Sequence, residues 1–269
     1  MNKWTITSVD SGKRLLAFAK QKLGDEFTTK DLRWSIEHHR CRFNRKVERF
    51  CSRRLSVGDR IEIYPLKKLF FQFEPDRVLF EDELLLAYNK PAGIVSPDLA
   101  KLLELYLVHR LDRDTTGVML FAKDREGQKE LENLFRLRKI EKSYLAWVVG
   151  TPKEKSGVID APVAKIGQRE GEVTWGVADD GKGLDAKTEW VLEKPGKDIS
   201  LIRCFPHTGR THQIRVHLSH IDLPVVGDVR YGSRMDAQSF RPLLHAEKVR
   251  VNGQEILAPL PEDFSLKRS

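Results

Sequence analysis

Read by the spacing of its apolar positions, the chain separates into a short first part and a longer second one. In residues 11–23, SGKRLLAFAKQKL, the residues Leu15, Leu16, Phe18, Ala19 and Leu23 recur at helical intervals, and Gly24 is a natural stop. Thr28 or Thr29 can cap a second helix, with Asp31 in its first turn and Leu32, Trp34 and Ile36 along it. A very basic stretch, EHHRCRFNRKVERFCSRR, follows. Val57-Gly58-Asp59 reads as a turn, and IEIY at 61–64 alternates as a strand does. Residues 66–77 include Lys67, Lys68 and Pro75 and are expected to link a domain at 1–65 to one at 78–269.

In the second part, VLFEDELLLAYNK predicts two strands around an acidic turn. Asn89-Lys90-Pro91-Ala92-Gly93 must turn, because proline fixes its backbone angle and glycine allows unusual ones. A short helix is expected at 98–107, a buried strand at 117–123, and a helix at 125–139 capped by Asp124. Strands are expected near 142–149, 157–163, 186–194 and 199–205, and Asn252-Gly253 is a type I′ hairpin signal. Many strands with few helices between them predict an α+β class with a largely antiparallel sheet. There is no internal repeat and no low-complexity tract.

Composition narrows the class. Of 269 residues, 40% are hydrophobic and 32% charged, which excludes collagen-like and wholly disordered chains. Three cysteines, Cys41, Cys51 and Cys204, do not make a disulfide framework and fit a reducing compartment. Neither a signal-peptide pattern nor an apolar run of membrane-spanning length is present, so a cytoplasmic protein with no membrane association is expected. The net charge is +8, and residues 1–65, with 15 basic and 8 acidic residues, carry +7 of it. Such asymmetry suggests a basic module that binds a polyanion, attached to a balanced body; a merely solubilising surface is the plainer reading.

Three segments could do chemistry. In VHRLDRDTTG at 108–117, Asp112 lies between Arg110 and Arg113. A nearby cation would hold it ionised as nucleophile or base, although a surface ion pair in a turn has the same spacing. In PHTGRTHQIRVHLSH at 206–220, a short helix capped by Thr211 is expected, with a phosphate site at its N-terminus and Arg210 beside it. The histidines His207, His212, His217 and His220 do not make a metal set. His212 and His217 would stand about 140° apart around the helix, and no HExxH or carboxylate cluster accompanies them. In Lys142-Ser143-Tyr144 the tyrosine is either packed in the core or a stacking platform for a base. No GxGxxG or GxxxxGK[ST] motif occurs.

Together these strings resemble the RluA class of pseudouridine synthases: NKPAG at 89–93, HRLDRDTTG at 109–117, KSYLAWV at 142–148, TGRTHQIRVHL at 208–218, GDVRYG at 227–232 and LLHA at 243–246. Their order and spacing cover about residues 78–265. Residues 12–64 resemble the small alpha-L RNA-binding module of ribosomal protein S-four type, through RLLAFAKQKL, the capped helix at 29–38, the Phe43-Asn44-Arg45 turn and VGDRIEI. The resemblance implies a catalytic domain with a mixed, largely antiparallel sheet and a central RNA cleft, preceded by a small α/β RNA-binding domain. It implies a monomeric enzyme that converts uridine in RNA, ribosomal rather than transfer RNA, to pseudouridine with no cofactor and no metal.

Carried over by motif, Asp112 is the catalytic aspartate, Tyr144 stacks on the base, and Arg215 pairs with Asp112. His109 or Arg110 would fill the gap left by a flipped uridine. The basic residues Lys30, Arg33, Arg40, Arg42, Arg45 and Lys46 would grip RNA, as would Arg210. Two features depart from the family. Only 15 residues separate Gly93 from His109, a shorter stretch than family members have, and NKPAGIVS with Thr116 is closer to the sister class that acts on small-subunit RNA. The competing readings are a catalytically inactive RNA-binding or ribosome-assembly protein and a metal-dependent hydrolase built on the histidines.

Overall fold

The computed structural model describes residues 2–37, 40–65, 72–169, 172–178, 182–232, 239 and 241–265. The chain divides into two compact units, Met1–Gln72 and Phe73–Ser269.

The first unit holds β1 (Asn2–Thr5), α1 (Leu15–Leu23), α2 (Thr29–Glu37), β2 (Cys41–Phe43), β3 (Lys46–Val47) and β4 (Arg60–Ile63). The strands form an antiparallel sheet in the order β1-β4-β2-β3. Both helices bury their apolar stripe on it, so that Leu15, Phe18, Leu32 and Ile36 meet Ile61 and Ile63. Thr28 starts α2 reciprocally. Its Oγ1 accepts the Asp31 N–H at 3.2 Å, while the Asp31 carboxylate accepts the Thr28 N–H at 2.9 Å. The β2–β3 hairpin is absent from the apolar pattern because its strands are three and two residues long. Its turn shows in the backbone, where Asn44 and Arg45 both take positive φ, 49° and 67°.

The second unit begins before the expected boundary. Of the expected linker, 66–71 lies outside the described residues, and Pro75–Arg77 is a 3₁₀ turn packed on the body. The Phe73 ring stacks on Tyr88, whose hydroxyl accepts the Glu74 N–H at 3.1 Å. The unit then contains β5 (Val78–Glu81), β6 (Leu85–Lys90), α3 (Ser96–Leu103), β7 (Tyr106–Leu107), β8 (Thr116–Ala122), α4 (Arg125–Arg136), β9 (Glu141–Val149), β10 (Ser156–Asp160), β11 (Val163–Arg169), β12 (Glu172–Val177), β13 (Lys187–Lys194), β14 (Ile199–Pro206), α5 (Gln213–His220), β15 (Leu244–Val251) and β16 (Gln254–Leu257).

Ten of these strands form one sheet with the path β10-β13-β14-β9-β15-β8-β6-β5, to which β16 adds on β15 and β7 on β8. Every pairing in it is antiparallel except β15 with β8. The class is α+β with a mixed, mostly antiparallel sheet, as the strand-rich pattern implies. At the parallel seam Gly117 sits at φ +112°, where a Cβ would come 2.1 Å from the Ala246 carbonyl oxygen; no other residue fits.

Three boundaries differ from expectation. The helix expected at 98–107 is Ser96–Leu103, because Glu104 turns left-handed (φ 57°) and the chain re-enters the sheet as β7. The helix at 125–139 stops at Arg136, ahead of left-handed Arg138; Asp124 does cap it, accepting the Gly127 N–H at 2.7 Å. The strand near 157–163 ends at Asp160, and the β11–β12 hairpin beyond it was not foreseen. That hairpin has little apolar alternation of its own, and Val163, Trp175 and Val177 pack it with Val216 of α5 and Tyr231. No helix among the described residues is long and apolar enough to cross a membrane.

Candidate active site

The loop between β7 and β8 carries Asp112 and is tied to its surroundings through its backbone. Ser96, at the start of α3, clasps Leu111: its hydroxyl accepts the Leu111 N–H at 3.0 Å and donates to the Leu111 carbonyl at 2.8 Å. The fully buried Lys90, at the end of β6, aims its ammonium at three carbonyl oxygens, those of Pro91 (2.9 Å), Arg113 (2.8 Å) and Thr115 (2.9 Å). Three acceptors match the three N–H donors of its ammonium form, while burial pulls its pKa down to about 7. Arg241, itself tied to Asp263, donates to the Asp114 carbonyl at 3.1 Å.

Asp112 projects into a cleft beneath α5. Arg215 donates from Nη1 to Asp112 Oδ2 at 3.1 Å, and His212 Nε2 stands 3.9 Å from Oδ1. Burial pushes the Asp112 pKa up, but Arg215, then His212 and Arg110, outweigh it and hold the carboxyl below its ordinary value. Arg215 is in turn gripped by the buried Asp228, Nε to Oδ2 at 2.6 Å and Nη2 to Oδ1 at 3.0 Å. The Tyr231 ring lies 5.0 Å from its guanidinium carbon, and the Tyr231 hydroxyl pairs with His212 Nδ1 at 2.7 Å.

Tyr144, on β9 in the middle of the sheet, lines the same cleft. Its hydroxyl has no hydrogen-bond partner among the described residues, and burial, helped by the Asp112 charge, raises its pKa. Lys142 lines the cleft two residues earlier, with its pKa pushed down to about 8 by burial. The cleft lining includes six cationic side chains, Arg110, Arg136, Arg138, Lys142, Arg210 and Arg215, and a single carboxylate, Asp112. The arrangement can therefore hold one ionised carboxylate facing an anionic polymer, with an aromatic face beside it.

The structure thus brings Asp112, Tyr144, Arg215, Arg110, His109 and Arg210 to one cleft. Several details differ from the sequence reading. Arg113 faces Asp114 (3.0 Å), so of the two arginines flanking Asp112 only Arg110 adds to the stronger pull of Arg215 from α5. His109 is not a free wedge, because its Nε2 accepts the Leu120 N–H at 2.8 Å and its ring packs 4.7 Å from Phe135. Burial, with Lys142 nearby, pushes its pKa down to about 3.

Thr211 does not cap α5. The N-cap is His212 in a left-handed conformation (φ 56°). The turn before it is closed by Gln213, whose Oε1 accepts the Arg210 N–H (3.0 Å) and the Thr208 hydroxyl (2.7 Å). Arg210 directs its Nε to the Asp185 carbonyl at 2.9 Å.

In the first unit Arg40 and Arg42 are buried, at 6% and 3% exposure, and do not present their charge to an RNA surface; Lys30, Arg33, Arg45 and Lys46 are exposed. His207, His212 and His217 have separate partners in Glu189, Tyr231 and Thr188, and no three potential metal ligands gather among the described residues. Asp228 and Tyr231 lie in the GDVRYG string but were not singled out, and neither were Lys90 and Lys142. A buried cation between motif residues has no periodic signal.

Comparison with known proteins decides the family. The model of a family described as RNA pseudouridylate synthase matches residues 84–220, half of the chain. The chain belongs to the RNA pseudouridylate synthase family. An uncharacterised RNA pseudouridine synthase of Zymomonas mobilis is 36% identical over 211 residues, 70% of this chain and 95% of that protein. Ribosomal large subunit pseudouridine synthase C of Yersinia pestis is 38% identical over 220 residues, 71% of this chain and 67% of that one. Among solved structures, human RNA pseudouridylate synthase domain containing 1 superposes with a TM-score of 0.61 at 27% identity, covering 71% of this chain and 90% of that one. This pseudouridylate synthase is of the RluA class that its motifs resemble, and it is an RNA-modifying isomerase.

Proposed function

We propose that the chain isomerises uridine in ribosomal RNA, with Asp112 as the reacting carboxylate, Tyr144 as the face that holds the base and Arg215 as the cation that keeps Asp112 ionised. One observation carries the reading: the lone carboxylate in a cleft lined by six cations is the one paired with a buried arginine. An anionic polymer is drawn into such a cleft, and a target uridine must leave its stack to reach the floor. Arg110, exposed beside Asp112 and free of an ion pair, suits the gap it leaves; His109 is spent on the sheet.

Asp112 then either attacks the sugar carbon bearing the base or removes a neighbouring sugar proton. The bond from that carbon to the ring nitrogen breaks, the uracil turns over Tyr144, and the sugar carbon bonds to the ring carbon C5. As that bond forms, the bond to Asp112 breaks or the sugar proton returns; the proton on C5 leaves to the solvent and the freed ring nitrogen takes one up, so uridine and pseudouridine have the same atoms. No cofactor or metal enters this sequence.

The ribosomal assignment rests on relatives whose names specify the large ribosomal subunit. The first unit, two helices on a small sheet with exposed Lys30, Arg33, Arg45 and Lys46, fits an RNA-gripping module of S-four type. The enzyme would act as a monomer in the cytoplasm, where ribosomal RNA is made in bacteria such as the sources of these relatives.

Two measurements test this together. Purified protein is incubated with large-subunit ribosomal RNA transcribed with uridine tritiated at C5, and pseudouridines in total RNA are mapped with and without the gene. Tritium release, and the loss of one or a few ribosomal sites in the deletion, are expected. No release from any RNA by folded protein would overturn the activity of the cleft, and loss confined to transfer RNA would overturn the ribosomal assignment.

A further inference from the structure

Lys142 plays no part in the chemistry above, yet it points into the same cleft. It stands two residues before Tyr144 on β9, and strand alternation puts both on one face. Ser143 between them turns away to Arg203, which also holds Glu193 and Glu247. The Lys142 ammonium reaches only the Thr208 carbonyl, at 3.5 Å, the outer limit of a hydrogen bond. No carboxylate among the described residues pairs with it, and no neighbouring charge offsets the burial that lowers its pKa. The charged and titratable groups that line the cleft with it are Arg136 and Arg138 at the end of α4, His109, Arg110 and Asp112 from the loop after β7, Tyr144 on β9, His207, Arg210 and His212 from the loop after β14, and Arg215 on α5. Glu189 is turned to His207 at 2.9 Å and Asp112 to Arg215 at 3.1 Å, and neither pairs with Lys142.

A half-buried cation surrounded by other cations is costly unless an anion arrives with the substrate. We propose that Lys142 binds a backbone phosphate of the RNA next to the flipped uridine and so sets which nucleotide reaches Asp112. The inference rests on the reading that the flipped base lies over Tyr144. Two positions on one strand face are about 6.6 Å apart, so Lys142 meets the strand beyond the base and not the base itself. A compact ammonium with three donors suits a phosphate, and phosphate contacts fix register without reading sequence. Arg136 and Arg138, exposed on the same side, continue the positive track outward.

The test uses full-length protein and a short RNA hairpin containing the uridine located by the mapping experiment. Variants of the hairpin each carry one neutral methylphosphonate linkage at successive positions around that uridine. In wild type, one flanking linkage raises KM by about tenfold, the value of a charge-assisted hydrogen bond, with kcat nearly unchanged. Lys142→Met raises KM for unmodified RNA by a similar factor and no longer responds to that linkage, while it responds normally to the others. Lys142→Arg, which keeps the charge, restores part of both.

Lys142→Gln replaces Lys142→Met if the latter does not fold, which a melting curve shows. Undiminished sensitivity of the variant to that linkage overturns the proposal, and so does a loss in kcat with KM unchanged. Failure of the underlying reading is separate: wild type then fails on unmodified RNA, and the proposal falls with it.

Discussion

Asp228 grips Arg215 from behind with both carboxylate oxygens, at 2.6 and 3.0 Å, while Arg215 turns Nη1 forward to donate to Asp112 at 3.1 Å. Two carboxylates thus share one cation, and the buried one sets its geometry. A bidentate grip fixes the plane of the guanidinium, so the direction of Nη1 toward Asp112 is decided 13 residues further along the chain. The remaining face of the guanidinium rests against Tyr231.

Removing that grip should cost turnover more than binding. Asp228→Asn keeps the shape but replaces a charged acceptor pair with one oxygen and one amide. Arg215 then loses its bidentate partner and the aim of Nη1. A fall in kcat of about 10- to 100-fold with little change in KM is expected, the pattern of an interaction made mainly in the transition state. Equal kcat in steady-state assays of Asp228→Asn and wild type would remove Asp228 from the site's geometry.

Arg215 itself should govern the acid side of the pH profile. With the cation present, Asp112 is held below its ordinary pKa and is ionised well into the acid range. In Arg215→Met the attraction is gone and burial remains, so the Asp112 pKa rises and the acid limb of kcat/KM moves to higher pH. The same change strands buried Asp228, at a cost of about 3–5 kcal/mol in stability. Melting curves therefore accompany the profile. Arg215→Lys keeps a point charge without the fork, and its limb should fall between the two. Coincident acid limbs in folded Arg215→Met and wild type would detach Arg215 from Asp112.

Asp112→Asn is nearly isosteric and removes both the charge and the reacting oxygen anion. Tritium release should vanish while RNA binding is kept or tightened, since a negative charge near phosphate is lost. Measurable turnover by verified pure variant protein would move the chemistry to another residue.

How much of this was legible beforehand follows from the range of each interaction. The helices started by Thr28 and Asp124, the Asn252-Gly253 turn and most of the alternating strands depend on residues within a few positions of one another, and they appear within a few residues of where the pattern puts them. The Asp112–Arg215 pair spans 103 positions and depends on how β8, β9 and β15 lie side by side. Spacing alone offered the flanking Arg110 and Arg113 and could not tell a reacting carboxylate from a surface ion pair; only the motif resemblance pointed to Arg215. Charge counting could not tell exposed Lys30 from Arg42 on β2 and Arg40 just before it, both of which the fold buries. Lys90 sits in a turn signal read for its proline and glycine, and its three carbonyl partners lie 1, 23 and 25 residues away.

The seam beneath the Asp112 loop should be intolerant of a side chain. Gly117→Ala would place a methyl 2.1 Å from the Ala246 oxygen at a backbone angle that L-residues avoid. Both strands of the parallel pair are in the interior of the sheet, so neither can yield easily. The variant should lose well over about 1 kcal/mol in a urea melt. An unchanged midpoint would contradict the close approach of β8 to β15.

The basic first unit offers the last prediction. Lys30, Arg33, Arg45 and Lys46 are exposed, and among the described residues the one ion pair these four make is Arg33 with Glu37, at 3.7 Å on the surface. Such a pair is weak and gives way to a phosphate. Replacing all four by glutamine in the full-length protein leaves Leu15, Phe18, Leu32 and Ile61 in place, so the unit should stay folded. If these side chains touch RNA, affinity for long structured RNA falls. The log–log dependence of binding on salt also flattens, by about 0.7–0.9 for each phosphate contact removed and so by up to about 3.6 for four. Phosphate contacts position an enzyme without doing its chemistry, so kcat at saturating RNA should change far less than KM. Binding of the natural RNA at several salt concentrations, wild type against the fourfold variant, separates this from a surface that only solubilises. Parallel lines of equal affinity would mean that the +7 charge of residues 1–65 does not grip RNA through these residues.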